Sequence, residues 1–250
     1  MTLALKIQYD GTNYSGWQIQ NNAQTIQGEL TEAIYKITNV KYNIIGAGRT
    51  DAGVHARNQV ATIQLNEKFP ITEQKIKDAI NSTLPNSIRI KDARIYDIDF
   101  NARFDAIYRE YSYNIILEED VFDDRFSTYI RYDLDLDLLW DCARIFRTIA
   151  DFTTFSKASD ENINPICYVS HSYFRQISPK KITYRIRSNH FLYGMVRALV
   201  GAMLDVARGK RTINEIELSL LKRDRKYISP LAPAKGLILE NICYPEKINF

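Results

Sequence analysis

Apolar residues alternate with small or polar ones over Leu3-Ala-Leu-Lys-Ile-Gln-Tyr9, the period-2 pattern of a strand with one buried face, and Asp10-Gly11 ends it as a turn. From Gln24 to Thr38 the period lengthens: Ile26, Leu30, Ala33, Ile34 and Ile37 fall on one helical face. Ile44-Ile45 and the run from Gln59 to Leu65 read as strands on either side of a loop. Thr72 to Leu84 is a helix stopped by Pro85, and Ile88 to Tyr96 is a strand. The order strand, helix, strand, strand, helix, strand then begins again from Ala106. Tyr111, Tyr113, Ile115 and Leu117 alternate, and Leu134 to Ala150 is helical with Leu138, Cys142, Ile145, Phe146 and Ile149 on one side. Ile166 to Ile177 and Ile182 to Arg187 pair as strands across Ser178-Pro-Lys-Lys181, and Asn189 to Gly209 is a long apolar helix. Thr212-x-x-Glu215 is a capping box that opens another helix. Gly236 to Tyr244 is the closing strand. This pattern predicts an α+β chain of two similarly built lobes, 1–105 and 106–250, resting on element order alone, with no repeated residue motif and no low-complexity linker.

Composition narrows the class. The 250 residues are 45% hydrophobic and 25% charged, an ordinary globular balance with enough chain to bury a sizeable core. No apolar run approaches the roughly 18 residues a membrane helix needs, and Met1-Thr-Leu-Ala-Leu-Lys lacks the basic-then-apolar layout of a signal peptide, so a cytoplasmic protein is expected. Cys142, Cys167 and Cys243 are far apart and without Cys-x-x-Cys spacing; they read as reduced, half-buried residues rather than a zinc site or a disulfide framework. The net charge of +3 hides a separation of signs. Glu118 to Asp141 holds nine acids against Arg125 and Arg131, whereas His171 to Lys226 holds thirteen Lys and Arg against four acids. That basic segment is an electrostatic footprint for a polyanion, or else a surface whose counter-charges sit elsewhere, the acidic stretch included.

The residues with the most chemistry stand in Gly46-Ala-Gly-Arg-Thr-Asp-Ala-Gly-Val-His-Ala-Arg57, a loop between strands. Gly46, Gly48 and Gly53 permit turns and close approach of another molecule to the main chain. Asp51, between Arg49 and Arg57, is a candidate nucleophile or base, because nearby positive charge favours an ionised carboxylate. Asp-Ala-Gly is also ordinary turn chemistry. Gly46-x-Gly48 invites a dinucleotide-binding reading, but no Gly follows three residues later and no helix opens there; no Gly-Lys-Ser/Thr follows for a phosphate loop.

Gly48-Arg-Thr-Asp-Ala-Gly-Val-His55 resembles the signature of the TruA-type tRNA pseudouridine synthases, whose catalytic aspartate sits where Asp51 does. Tyr9-Asp-Gly-Thr-Asn-Tyr-Ser-Gly-Trp-Gln18, Arg109-Glu-Tyr-Ser-Tyr113, Phe191-Leu-Tyr-Gly-Met-Val-Arg197 and Ala232-Pro-Ala-Lys-Gly-Leu237 are similar to further family blocks, in the family's order. The resemblance spans nearly the whole chain. It implies two similar lobes with joined, mainly antiparallel sheets and a catalytic cleft between them, a homodimer, and conversion of uridine to pseudouridine at positions 38, 39 and 40 in the anticodon stem-loop of tRNA. It implies Asp51 as the nucleophile on a flipped uridine, Arg197 as its ion-pair partner, Tyr111 stacking on the uracil and Leu237 lining the pocket. Support for Arg49 holding a phosphate or filling the gap left by the flipped base is looser. Isomerisation involves no redox change and no group donor, so neither cofactor nor metal is expected.

Read from pattern alone, Tyr111 is a core aromatic, Arg197 a cation in an apolar helix that either needs a partner or snorkels to water, and His55 a residue that orders its turn. A tRNA-binding protein without activity, or a nucleotide-dependent enzyme resting on Gly46-x-Gly48, are the rival classes. Gly194 and Ala198 depart from the His or Asn that many relatives carry beside the arginine.

Overall fold

A computed structural model of the chain describes residues 1–157 and 164–248. Its elements are β1 (Thr2–Tyr9), α1 (Ile26–Thr38), β2 (Ile45–Gly46), β3 (His55–Gln64), α2 (Glu73–Asn81), β4 (Ile88–Tyr96), β5 (Tyr108–Ile116), β6 (Thr128–Tyr129), α3 (Leu136–Ile145), β7 (Ile149–Asp151), β8 (Ile166–Ser178), β9 (Lys181–Ser188), α4 (Met195–Ala207), α5 (Ile213–Lys222) and β10 (Leu237–Cys243). They form two compact units, one of Met1–Ile107 with the closing segment from Ile238 onward, the other of Tyr108–Leu237. The chain is mixed α/β with mainly antiparallel sheets.

In the first unit the strand order is β4-β1-β3-β10, with β2 paired to β3. β1 is antiparallel to both neighbours, and the predicted inward residues Leu3, Leu5 and Ile7 are fully buried. Thr25 caps α1 by accepting the Gly28 N–H, a bond worth about 1 kcal/mol. From that cap the helix buries Ile26, Leu30, Ala33 and Ile34, and Asn39 in the left-handed region ends it. β10 joins β3 in parallel at Ile238↔His55 and Leu239↔Ala56. The closing strand belongs to this unit because its partners do: Ile107 N–H donates to the Cys243 carbonyl at 2.8 Å, and Tyr244 donates to the Ala102 carbonyl at 2.8 Å while packing edge-on to Phe100.

In the second unit the order is β5-β9-β8-β7, with β6 parallel to β5. The β8–β9 hairpin turns where Ser178-Pro-Lys-Lys181 predicts it. Ser172 donates from β8 to the Ala143 carbonyl of α3 at 2.6 Å, and Trp140 stacks on Phe174, which fixes α3 against the sheet. Three helices are clearly shorter than their sequence pattern predicts, α2 ending at Asn81 rather than Leu84. α3 stops at Ile145, because Ile149–Asp151 pairs with β8 instead; Ile149 is 66% and Leu138 37% exposed, so neither shares the buried face of Leu139, Cys142 and Ala143. α4 starts at Met195 rather than Asn189, because Gly194 takes φ +69, outside the right-handed helical region.

Candidate active site

The loop between β2 and β3 is bolted to the segment that follows β1. Gly16, at φ +95, lies so close that a Cβ there would sit 2.5 Å from the Thr50 carbonyl oxygen; a Cβ on Gly11 would sit 2.0 Å from that of Val54. Across this contact Trp17 N–H donates to Thr50 O at 3.0 Å and Gly53 N–H to Tyr14 O at 3.2 Å. Tyr9 Oη and Thr50 Oγ1 are 2.8 Å apart, and burial pushes the Tyr9 phenol up to about 12, so that hydrogen bond stays protonated at any physiological pH. The block Tyr9 to Gln18 is therefore the platform for Asp51, and two of its glycines are there because backbone occupies the space a side chain would need. Within the loop, Gly53 has φ +77 and Gly46 lies against the Trp17 ring, whereas Gly48 needs neither a positive φ nor a close approach.

Asp51 is half-buried, and its carbonyl accepts the Val54 N–H, closing the turn. Arg49 is exposed, its Nε 3.1 Å from Gln18 Oε1. β3 begins four residues before the predicted Gln59, so His55 and Arg57 lie on a strand rather than in the loop. Their polarity hid this: Arg57 Nε lies 3.4 Å from Glu240 Oε2 and Asn58 donates to the Glu240 carbonyl, contacts supplied only by β10. His55 is buried and accepts the Gly11 N–H at Nδ1, which ties the end of the loop to the platform as a turn-ordering histidine would.

In the second unit, Tyr111 on β5 is 8% exposed and meets Phe191 edge-to-face at 5.1 Å. Arg109, two residues before it, donates to the Asn189 carbonyl. Arg197 is the single residue of α4 that is not buried. Its Nε donates to the Ala232 carbonyl at 2.8 Å, and its own carbonyl accepts the Ala232 N–H at 3.1 Å. α4 lies directly on this strap of chain, since a Cβ on Gly201 would sit 2.0 Å from Pro230 O. The strap continues through Lys235, ion-paired to Asp124 at 2.6 Å, to the buried Leu237. Of the two departures, Gly194 supplies the left-handed turn into α4 and Ala198 is wholly buried.

The basic segment is neutralised in part by the protein itself. Lys180 pairs with Glu118 and Lys181 with Asp123, joining it to the acidic stretch; Arg185 and Arg187 both reach Glu110, and Arg208, Arg223 and Lys226 pair with Asp205, Asp151 and Asp224. Cys142 and Cys167 are fully buried rather than half-buried, and burial pushes both thiols up to about 12. Among the described residues no cluster of His, Cys, Asp and Glu is arranged to hold a metal ion, and no helix is long and apolar enough to cross a membrane.

A family model described as tRNA pseudouridine synthase matches residues 6–105 and 149–245. The chain is 38% identical to a tRNA pseudouridine synthase A of Caldicellulosiruptor bescii, over 97% of this chain and 99% of the relative. It is 36% identical to one of Bacteroides thetaiotaomicron, over 97% of this chain and 90% of the relative. Among solved structures, a chain from an H/ACA RNP bound to a substrate RNA containing 2'-deoxyuridine aligns at 10% identity and a TM-score of 0.34, over 94% of this chain and 59% of its own; the assignment stands without it. On a match of this length, with the Asp51 loop and its platform inside it, the chain belongs to the tRNA pseudouridine synthase family.

Proposed function

We propose that the chain isomerises uridine in tRNA to pseudouridine at positions 38, 39 and 40 of the anticodon stem-loop, with Asp51 as the nucleophile. The isomerase activity on tRNA uridine is that of the family; the positions and residue roles come from the resemblance of the five sequence blocks. The observation that supports the Asp51 role best is its mounting, a half-buried carboxylate on a loop fixed from outside by backbone hydrogen bonds and two close glycine contacts. Such pre-organisation is what a group that must meet one atom of a flipped base requires. The reaction breaks N1–C1′, turns the uracil and forms C5–C1′; the proton on C5 leaves and N1 gains one, so atoms and electrons balance within the substrate. In this reading Arg197 is the ion-pair partner that the resemblance assigns to Asp51, Tyr111 stacks on the base, Leu237 lines its pocket and Arg49 contacts the backbone or the vacated stack. The enzyme works as a cytoplasmic homodimer. Incubation of the purified protein with uridine-labelled tRNA transcript, a metal chelator and no added cofactor is expected to yield pseudouridine at those three positions. No product, or product elsewhere in the tRNA, overturns the reading.

Affinity for tRNA is expected to fall with salt, but less steeply than composition implies. Nine net positive charges, all on phosphates, would give a slope of about −8 in log affinity against log salt. Among the described residues at least five of the segment's cations pair with carboxylates outside it, beyond those the net charge already counts, so a clearly shallower slope is expected in filter binding between 50 and 300 mM salt. A flat line would remove the basic segment from the interface.

A further inference from the structure

The strap from Pro230 to Leu237 links two residues with proposed roles, Arg197 through Ala232 at one end and Leu237 at the other. Between them stands a side chain to which no role has been given. Tyr113 Oη donates to the Pro233 carbonyl at 2.9 Å and lies 2.7 Å from Thr128 Oγ1, which occupies its other hydrogen-bonding direction. The ring is wholly buried. Gly236 seats the strap against it, because a Cβ there would sit 2.8 Å from Tyr113 Cζ and from Thr128 Oγ1. Burial drives the phenol well above its ordinary range, so the hydroxyl remains a donor at every working pH.

We propose that Tyr113 is a positioning residue for the isomerisation: its hydroxyl holds the Pro233 carbonyl and so sets the place of Arg197 and of Leu237 at once. This rests on the roles proposed for those two residues. The geometry is that of a central tie. Ala232 is fixed from α4, Pro233 from β5, and Leu237 follows as the first residue of β10. Sub-ångström precision in a reacting site comes from such supports, and loosening one lowers the rate of the chemical step more than it lowers substrate binding.

The test compares Tyr113→Phe with Thr128→Val. Both remove the buried Tyr113–Thr128 hydrogen bond in nearly constant volume, but only the first also cuts the tie to Pro233. Single-turnover pseudouridine formation at saturating enzyme is expected to fall at least tenfold in Tyr113→Phe with the tRNA dissociation constant within twofold, while Thr128→Val stays within twofold on both measures. Gly236→Ala, which pushes the strap from the ring without removing any polar group, is expected to follow Tyr113→Phe, and decides the matter if the Phe variant does not fold. A wild-type rate in folded Tyr113→Phe or Gly236→Ala, or equal losses in Tyr113→Phe and Thr128→Val, makes the hydroxyl merely structural and overturns the proposal. Asp51→Asn in the same series separates the two levels: full activity there removes the catalytic reading itself, whatever Tyr113 does.

Discussion

Asp51→Asn is expected to lower turnover by at least about 10⁴-fold, the scale seen when a nucleophile or its essential partner is removed, while tRNA affinity stays within a few-fold. The change is nearly isosteric, and backbone and hydroxyl groups tie the loop to its platform. Thr50 O, Thr50 Oγ1 and the carbonyls of Asp51 and Tyr14 bond to Trp17, Tyr9, Val54 and Gly53 in turn. An amide at position 51 therefore leaves the mounting in place and removes the chemistry. Arg197→Met keeps much of the volume but loses both the charge and the Nε bond to Ala232, and is expected to be slow for two reasons. The double variant discriminates. If Asp51 and Arg197 act as one unit, it is barely worse than Asp51→Asn alone; multiplying losses mean that they act separately. Single-turnover formation of pseudouridine and filter binding on all three variants are the measurements. Full activity in Asp51→Asn sinks the nucleophile assignment, and binding retained without chemistry excludes the inactive tRNA-binding module.

Elements that carry their own pattern were legible from the chain. β4 runs from Ile88 to Tyr96, the bounds read from sequence, and Thr212 and Glu215 make both bonds of a capping box. What local pattern could not give was set by partners distant in sequence. His55 and Arg57 look like loop residues until β10, some 180 positions later, supplies Glu240. Ile149 looks like the last turn of a helix until β8 takes it as a strand partner. Gly194 reads as one more small residue in an apolar run, yet its left-handed backbone fixes where α4 begins.

The candidate site divides in the same way. Asp51 and its block were visible as residue types at fixed spacing, but the reason for Gly11 and Gly16 was not, because it is the approach of another backbone. The basic segment was visible as composition, whereas its net effect depended on pairing: Lys180 and Lys181 meet Glu118 and Asp123, as the less favourable reading of the charge pattern allowed. In sequence Tyr113 is only one more alternating strand residue beside Tyr111, since nothing along β5 marks which of two tyrosines has its hydroxyl on the Pro233 carbonyl.

Tyr111 is the residue on which the pattern-based and family-based readings differ most, and its burial sharpens the difference. At 8% exposure, edge-on to Phe191, the ring has the surroundings of a core aromatic, so Tyr111→Ala conflates two losses. Truncation opens a cavity that costs about 3–5 kcal/mol of stability, while a lost base-stacking contact costs about 1–3 kcal/mol of binding and turnover. Tyr111→Leu separates them, because leucine fills much of the space but offers no π-face. If the ring stacks on the flipped uracil, Tyr111→Phe keeps substantial activity. Tyr111→Leu, folded and well below its melting temperature, then loses roughly 5- to 150-fold in single-turnover rate over dissociation constant. Leu as active as Phe would leave Tyr111 as packing alone. Phe as inactive as Leu would move the role from the face of the ring to its hydroxyl, and with it the place of Tyr111 from holding the base to taking part in the reaction.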